Sequence, residues 1–259
     1  MTFRGSLLAL ALALATTAQA ADFAATRPTQ RVDYWQQRQA TISAQLATPA
    51  SLARYRLVFI GDSITDFWLL GKNPWALGQK FGRAVWDESF GEGSARPALN
   101  LGISGDRIEH VLYRLAAPAD GGLGQLDRAD LRPDAIVLML GINNSYDPET
   151  PADAAVFAGV QTAVRTIHAR KPGVRIILQS LLPTSDEAKN AAIVRPVNAK
   201  LRAMAATPEF AAYVTWLDLT PGFVDAEGRQ IATLFNDGLH PNEAGYRIWR
   251  DRLVPVLQP

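Results

Sequence analysis

The sequence predicts a doubly wound α/β domain around a parallel sheet of about five strands. Three observations predict it. Five short runs are almost continuously apolar rather than alternating, which suits strands buried on both faces. Longer stretches of helical character lie between them, the alternation expected of βαβ units. The chain has 259 residues, 48% of them hydrophobic and 20% charged, enough to cover one large core.

In chain order, residues 1–20 read as a secretory signal peptide. Arg4 is their only charge, the run SLLALALALA is too short to span a bilayer, and Ala18-Gln19-Ala20 offers small residues for cleavage after Ala20. Residues 21–55 are expected to form a helical arm, with helix formers dense over 27–50. The main domain then occupies 56–259. Its apolar runs are LVFI at 57–60, ALNLGI at 98–103, AIVLML at 135–140, VRIIL at 174–178 and VTWLDL at 214–219. Helices are expected at 107–117, 152–171, 187–206 and 242–257. Pro172-Gly173 stops the second of these just before the fourth strand.

Charge and composition exclude several classes. The formal net charge is +1, and removal of Arg4 with the leader brings it to zero. Nothing in that balance favours nucleic acid or an anionic membrane. The chain has no cysteine. Disulfides, thiolate metal sites, a cysteine nucleophile and a lipid-modified cysteine are therefore excluded. Three histidines without cysteine also make a poor transition-metal site, and no metal or cofactor is expected. There is no phosphate-binding loop, no H-E-x-x-H, and no glycine pattern set between a strand and a helix.

Sites in such folds gather beyond the carboxyl ends of the strands. There the sequence places Gly61-Asp62-Ser63, Ser104-Gly105-Asp106, Gly141-Ile142-Asn143-Asn144 and, further on, Asp237-Gly238-Leu239-His240. A serine nucleophile needs a base and a group to orient that base. His110 and His168 fall inside expected helices without evident partners and read as surface or packing residues. His240 follows a loop, and Asp237 three residues earlier can reach its ring in a compact turn. The same loop could simply cap the last helix, with Asn242 as N-cap. The G-x-S-x-G elbow is absent, because Thr65 stands where its second glycine belongs.

Taken together, the four blocks resemble the SGNH, or GDSL-type, hydrolases. The resemblance spans 57–245, and NLGISGDRIEHVLYRL is most similar to the branch holding the catalytic subunits of platelet-activating-factor acetylhydrolase and related bacterial esterases. It implies a flavodoxin-like three-layer α/β/α sandwich. It implies Ser63 as nucleophile, His240 and Asp237 completing a triad, and an oxyanion hole from the Ser63 and Gly105 N–H groups and the Asn143 side chain. Asn144 stands where much of the family has aspartate, as in that branch.

The expected function is that of an exported serine esterase, periplasmic or secreted, acting on small acyl esters, acetyl above all, of a small molecule or glycan. No stable membrane anchor is expected after leader cleavage. The alternatives are a lysophospholipase or thioesterase, and a glycan-binding module without turnover. Trp68, Asn144 and Tyr146 are the candidate pocket residues, whereas Trp75 and Trp86 read as core. The pattern carries no signal of oligomeric state.

Overall fold

A computed structural model describes residues 22–33 and 35–258. The proposed leader lies outside the described residues. The sheet has five parallel strands: β1 (Leu57–Gly61), β2 (Ala98–Asn100), β3 (Ala135–Met139), β4 (Arg175–Gln179) and β5 (Val214–Leu217). Their order is β2-β1-β3-β4-β5. The register sets Phe59 beside Asn100 and Gly61 beside Met139. The three ends that carry the first three blocks are therefore adjacent. Chain reversal between β2 and β3, on opposite sides of β1, opens the crevice in which such sheets bind ligands.

Helices cover both faces. On one side α3 (Arg83–Ser89) packs against the C-terminal α7 (Glu243–Leu253). On the other, α4 (Ile108–Leu115) packs on α5 (Ala152–Arg170), which packs on α6 (Arg195–Ala205). A π-helical turn, Asn190–Val194, leads into α6. Every residue of β1 and β3 is buried, which explains why these runs do not alternate.

The arm departs from expectation. Its helix, α1 (Gln36–Leu46), starts well after residue 27, and residues 27–33 are not helical. The reason is a tertiary pull on that segment. Ala24 and Ala25 N–H groups donate to Glu149, and Thr29 N–H donates to the Glu109 carbonyl. These bonds hold the chain extended across the domain. From α1, Arg38 donates to the Asn100 carbonyl of the edge strand β2, so the arm shields an otherwise open sheet edge. The sequence also gave no sign of the short helix α2 (Ser63–Asp66), which forms because Asp62 caps it.

Candidate active site

Strand β1 ends at Gly61 because no side chain fits there. A Cβ on Gly61 would fall 2.1 Å from Thr65 Oγ1 and 2.5 Å from the Met139 carbonyl. Thr65, which broke the elbow pattern, is thus the residue Gly61 makes room for. Asp62 then turns the chain into α2, its Oδ1 accepting the Ile64 N–H at 3.0 Å. Ser63 becomes the first residue of α2, where its own N–H has no intrahelical acceptor. Asp62 is fully buried, and that burial pushes its carboxyl up to about 7, against the lowering effects of the Ile64 N–H and His240.

Ser63 Oγ lies 2.9 Å from His240 Nε2, across 177 positions of sequence. His240 Nδ1 lies 2.7 Å from Asp237 Oδ2. A carboxylate only accepts, so Nδ1 carries the proton and Nε2 is left to accept from the serine. The other oxygen of Asp237 accepts the Leu239 and His240 N–H groups at 3.0 and 2.8 Å. Burial would raise the Asp237 carboxyl, but the His240 ring and these N–H bonds outweigh it and hold it at about 2. The capping alternative is also realised, by a different residue: Asn242 Oδ1 accepts the Gly245 N–H and starts α7. The loop therefore does both jobs with separate side chains.

The second block meets the first through the Ile103 N–H, which donates to the Gly61 carbonyl. Gly105 has φ of 81°, a conformation costly for other residues. Among the described residues nothing accepts its N–H. Asn143 Nδ2 donates to the Asp106 carbonyl at 2.8 Å, which leaves its second hydrogen available. Beneath this loop lies a buried charged cluster that the sequence did not reveal. Asp106 is paired with Arg31 and Arg114. Asp66 is paired with Arg38 and accepts the Ser104 N–H. None of these pairings has a sequence signal. Arg31 and Arg38 are brought in from the arm, 75 and 28 positions from their partners, and Arg114 from α4, 8 positions after Asp106.

Two pocket candidates are corrected. Trp68 is 0% exposed and packs among Phe59, Trp86, Phe90, Tyr246 and Trp249, so it belongs to the core. Its partner α7 fills the space toward which it points. Asn144 is buried too, accepting the Ile108 N–H and donating to Glu109. It ties the third block to the start of α4, with both its oxygen and its nitrogen engaged there. Tyr146 is an exposed rim residue, with the Lys189 ammonium 3.6 Å above its ring.

Trp86 is core, as expected, but Trp75 is not: it is 70% exposed. Its ring lies 5.6 Å from Phe67, whose ring also neighbours Phe81 at 4.7 Å and His240 at 4.9 Å. The segment that carries it is pinned to the histidine loop. Gln79 donates to the Asn236 carbonyl, and Asn236 donates to the Lys80 carbonyl. His110 and His168 sit apart from these residues, the first accepting the Arg107 N–H and the second stacked on Tyr213. Among the described residues no cluster of acidic and histidine side chains could hold a metal ion.

The profile of the GDSL-like Lipase/Acylhydrolase family matches residues 59–248. The human platelet-activating factor acetylhydrolase IB subunit alpha2 is 32% identical over 192 residues, spanning 73% of this chain and 70% of that protein. The human alpha1 subunit is 31% identical over 195 residues, with 73% and 70% covered. Among solved structures, a GDSL-like lipase from Bacteroides thetaiotaomicron superposes with a TM-score of 0.57 at 20% identity, covering 84% of this chain and 97% of that one. A mutant of Axe2, an acetyl-xylooligosaccharide esterase from Geobacillus Stearmophilus, gives 0.51 at 22% identity, covering 77% and 92%. At these identities the structural likenesses speak to the fold.

Proposed function

Because the chain belongs to the GDSL-like lipase/acylhydrolase family, and is a carboxylic ester hydrolase, we propose that it is an exported serine esterase removing acetyl or similarly small acyl groups from carbohydrate. The observation that carries the mechanism is the unbroken hydrogen-bonded chain from Ser63 through His240 to Asp237. Ser63 Oγ attacks the ester carbonyl carbon as His240 Nε2 takes the hydroxyl proton. Asp237 stays a carboxylate and balances the imidazolium. The carbonyl oxygen, now an oxyanion, accepts from the Ser63 and Gly105 N–H groups and from Asn143 Nδ2. The intermediate collapses, the C–O bond to the alcohol breaks, and the imidazolium returns its proton to the departing alkoxide. Water then attacks the acyl-enzyme with His240 again as base, and the acid leaves with Ser63 restored.

Support for acetyl comes from the names of the relatives, an acetylhydrolase and an acetyl-xylooligosaccharide esterase. Support for a sugar comes from Trp75, an exposed indole linked through the Phe67 ring to the histidine that would protonate the leaving alcohol. Export rests on the leader at residues 1–20, and among the described residues no helix is long and apolar enough to cross a membrane. The same segment favours a second reading. Leu77 is fully exposed close to Trp75, and such an apolar lip would also suit the longer chain of a lysophospholipid or thioester. A turnover-incompetent glycan binder has no such support, since Ser63, His240 and Asp237 are aligned for reaction.

The test is a fluorophosphonate label together with an ester series from acetate to decanoate and acetylated oligosaccharides. The proposal expects labelling of wild type, none of Ser63→Ala, and a steep fall beyond butyrate. Equal labelling of both proteins refutes the serine mechanism. Rising rates toward decanoate replace the sugar-acetate reading by the lipid one.

A further inference from the structure

We propose that Arg31, in the arm upstream of the family match, is a positioning residue that aims the Gly105 N–H into the site. This deepens the reading above and rests on it, because it takes Gly105 to be an oxyanion donor. The Gly105 N–H and the Ser104 C=O belong to one peptide unit. That unit is planar and trans, so its two polar bonds point in opposite directions. Whatever holds the carbonyl therefore sets the line of the amide.

Arg31 holds it: one guanidinium nitrogen donates to the Ser104 carbonyl at 2.7 Å and to Asp106 Oδ1 at 3.0 Å. The arginine side chain is 5% exposed and the aspartate 1%, so neither has water as a substitute partner. The preceding peptide is fixed as well, because the Ser104 N–H donates to Asp66 Oδ2, which limits rotation on the N-terminal side of the Ser104–Gly105 unit. A cationic donor on the carbonyl also polarises the peptide, which makes its N–H a stronger donor to a developing negative charge.

The same guanidinium reaches the mount of the other donor. Asp106, whose carboxylate sits between Arg31 and Arg114, offers its main-chain carbonyl to Asn143 Nδ2. Arg31 also bonds Asp33, and the chain before it is tied to Glu109 and Glu149. The arm is anchored again beyond the arginine, where Arg38 donates to the Asn100 carbonyl. Because the family match begins at residue 59, no motif of the family includes this residue.

The experiment uses the full chain with Arg31→Lys and Arg31→Ala. It measures kcat and KM on p-nitrophenyl acetate, affinity for ethaneboronic acid, and the Gly105 amide resonance with the boronate bound. A boronate adds to the serine oxygen and presents a tetrahedral oxygen where the oxyanion would sit. Removing a donor outright lowers turnover by about 100- to 1000-fold, and misplacing one should lower it by roughly 10- to 100-fold. The expected result is that drop in kcat, a matching loss of boronate affinity, a KM within about twofold, and a smaller boronate-induced shift of the Gly105 amide. Arg31→Lys should recover part of the loss, since it keeps the charge but not the fork of donors.

Turnover and boronate affinity within twofold of wild type would overturn the proposal, as would an unchanged Gly105 amide shift. Should Arg31→Ala fail to fold, Arg31→Lys and the amide resonance decide it. If wild type itself neither labels with fluorophosphonate nor binds boronate, the serine reading fails and Arg31's role with it. If wild type does both and the variants match it, only the role of Arg31 fails.

Discussion

The two walls of the cleft are built differently. The oxyanion wall, from Gly102 to Asp106 with Asn143, rests on buried ion pairs and carries more hydrogen bonds than its backbone alone requires. The histidine wall is a surface loop. Asp237 is half exposed, and its loop is joined by hydrogen bonds to Gln79 and the Lys80 carbonyl, on the segment that carries the exposed Trp75. Under the proposed mechanism, the difference follows from what each wall does. Donors to an oxyanion work by being already in place, so mobility there is lost catalysis. A base must accept a proton and give it up to two different partners, which needs access and a nearby solvent path.

Six substitutions, in four experiments, break or sharpen that contrast. The largest effect lies at the proton relay. Ser63→Ala or His240→Ala should lower kcat by roughly 10⁴- to 10⁶-fold, and Asp237→Asn by about 10⁴-fold. Steady-state kinetics on p-nitrophenyl acetate reads all three, with circular dichroism expected to be unchanged. On the opposite wall, Asn143→Ala should lower kcat by about 100- to 1000-fold while KM moves little. A change in KM alone would mean that Asn143 binds substrate rather than the transition state.

The third concerns stability under the nucleophile. The carboxyl of Asp62 is raised from 3.8 to about 7 by burial. Between those values the folded state holds a proton that the unfolded chain has released. Stability from this group is therefore complete below about pH 4, falls as pH rises toward 7, and levels off above it. The span is on the order of a few kcal/mol. Asp62→Asn keeps the oxygen that accepts the Ile64 N–H and has no such slope. Urea melts should show it more stable than wild type at pH 8 and close to it at pH 4. The smallest effect is at the rim. Trp75→Ala should raise KM for acetylated oligosaccharides by a few-fold and leave triacetin unchanged, as measured by pH-stat titration.

Much of this was legible in the chain. The five strands emerged within a few residues, because a strand buried on both faces needs a continuous apolar run. Ser63, His240 and Asp237 could be nominated because few residue types can act as nucleophile and base and the chain holds only three histidines, and folding brings the three side chains into hydrogen-bond contact. The tryptophans were not legible. Trp68 and Trp75 are seven residues apart and chemically identical, yet one is enclosed by α7 and the other faces solvent. No local pattern separates them, since the burying residues, Tyr246 and Trp249, lie about 180 positions away. Asn143 and Asn144 are adjacent and take opposite directions for the same kind of reason: the second is claimed by Ile108 and Glu109.

The sequence by itself determined which groups could do chemistry and on which strand ends they would stand, because those depend on residue type and on local apolar periodicity. Tertiary structure alone decided what holds them. Arg31, Arg38 and Arg114 gave no signal, for a charged residue is expected at the surface unless a partner is known. Here the partners are Asp106 and Asp66: folding brings Arg31 and Arg38 to them by laying the arm against the domain, and Arg114 reaches Asp106 from α4. Burial then makes each pairing necessary, because neither charge could remain in the interior without the other.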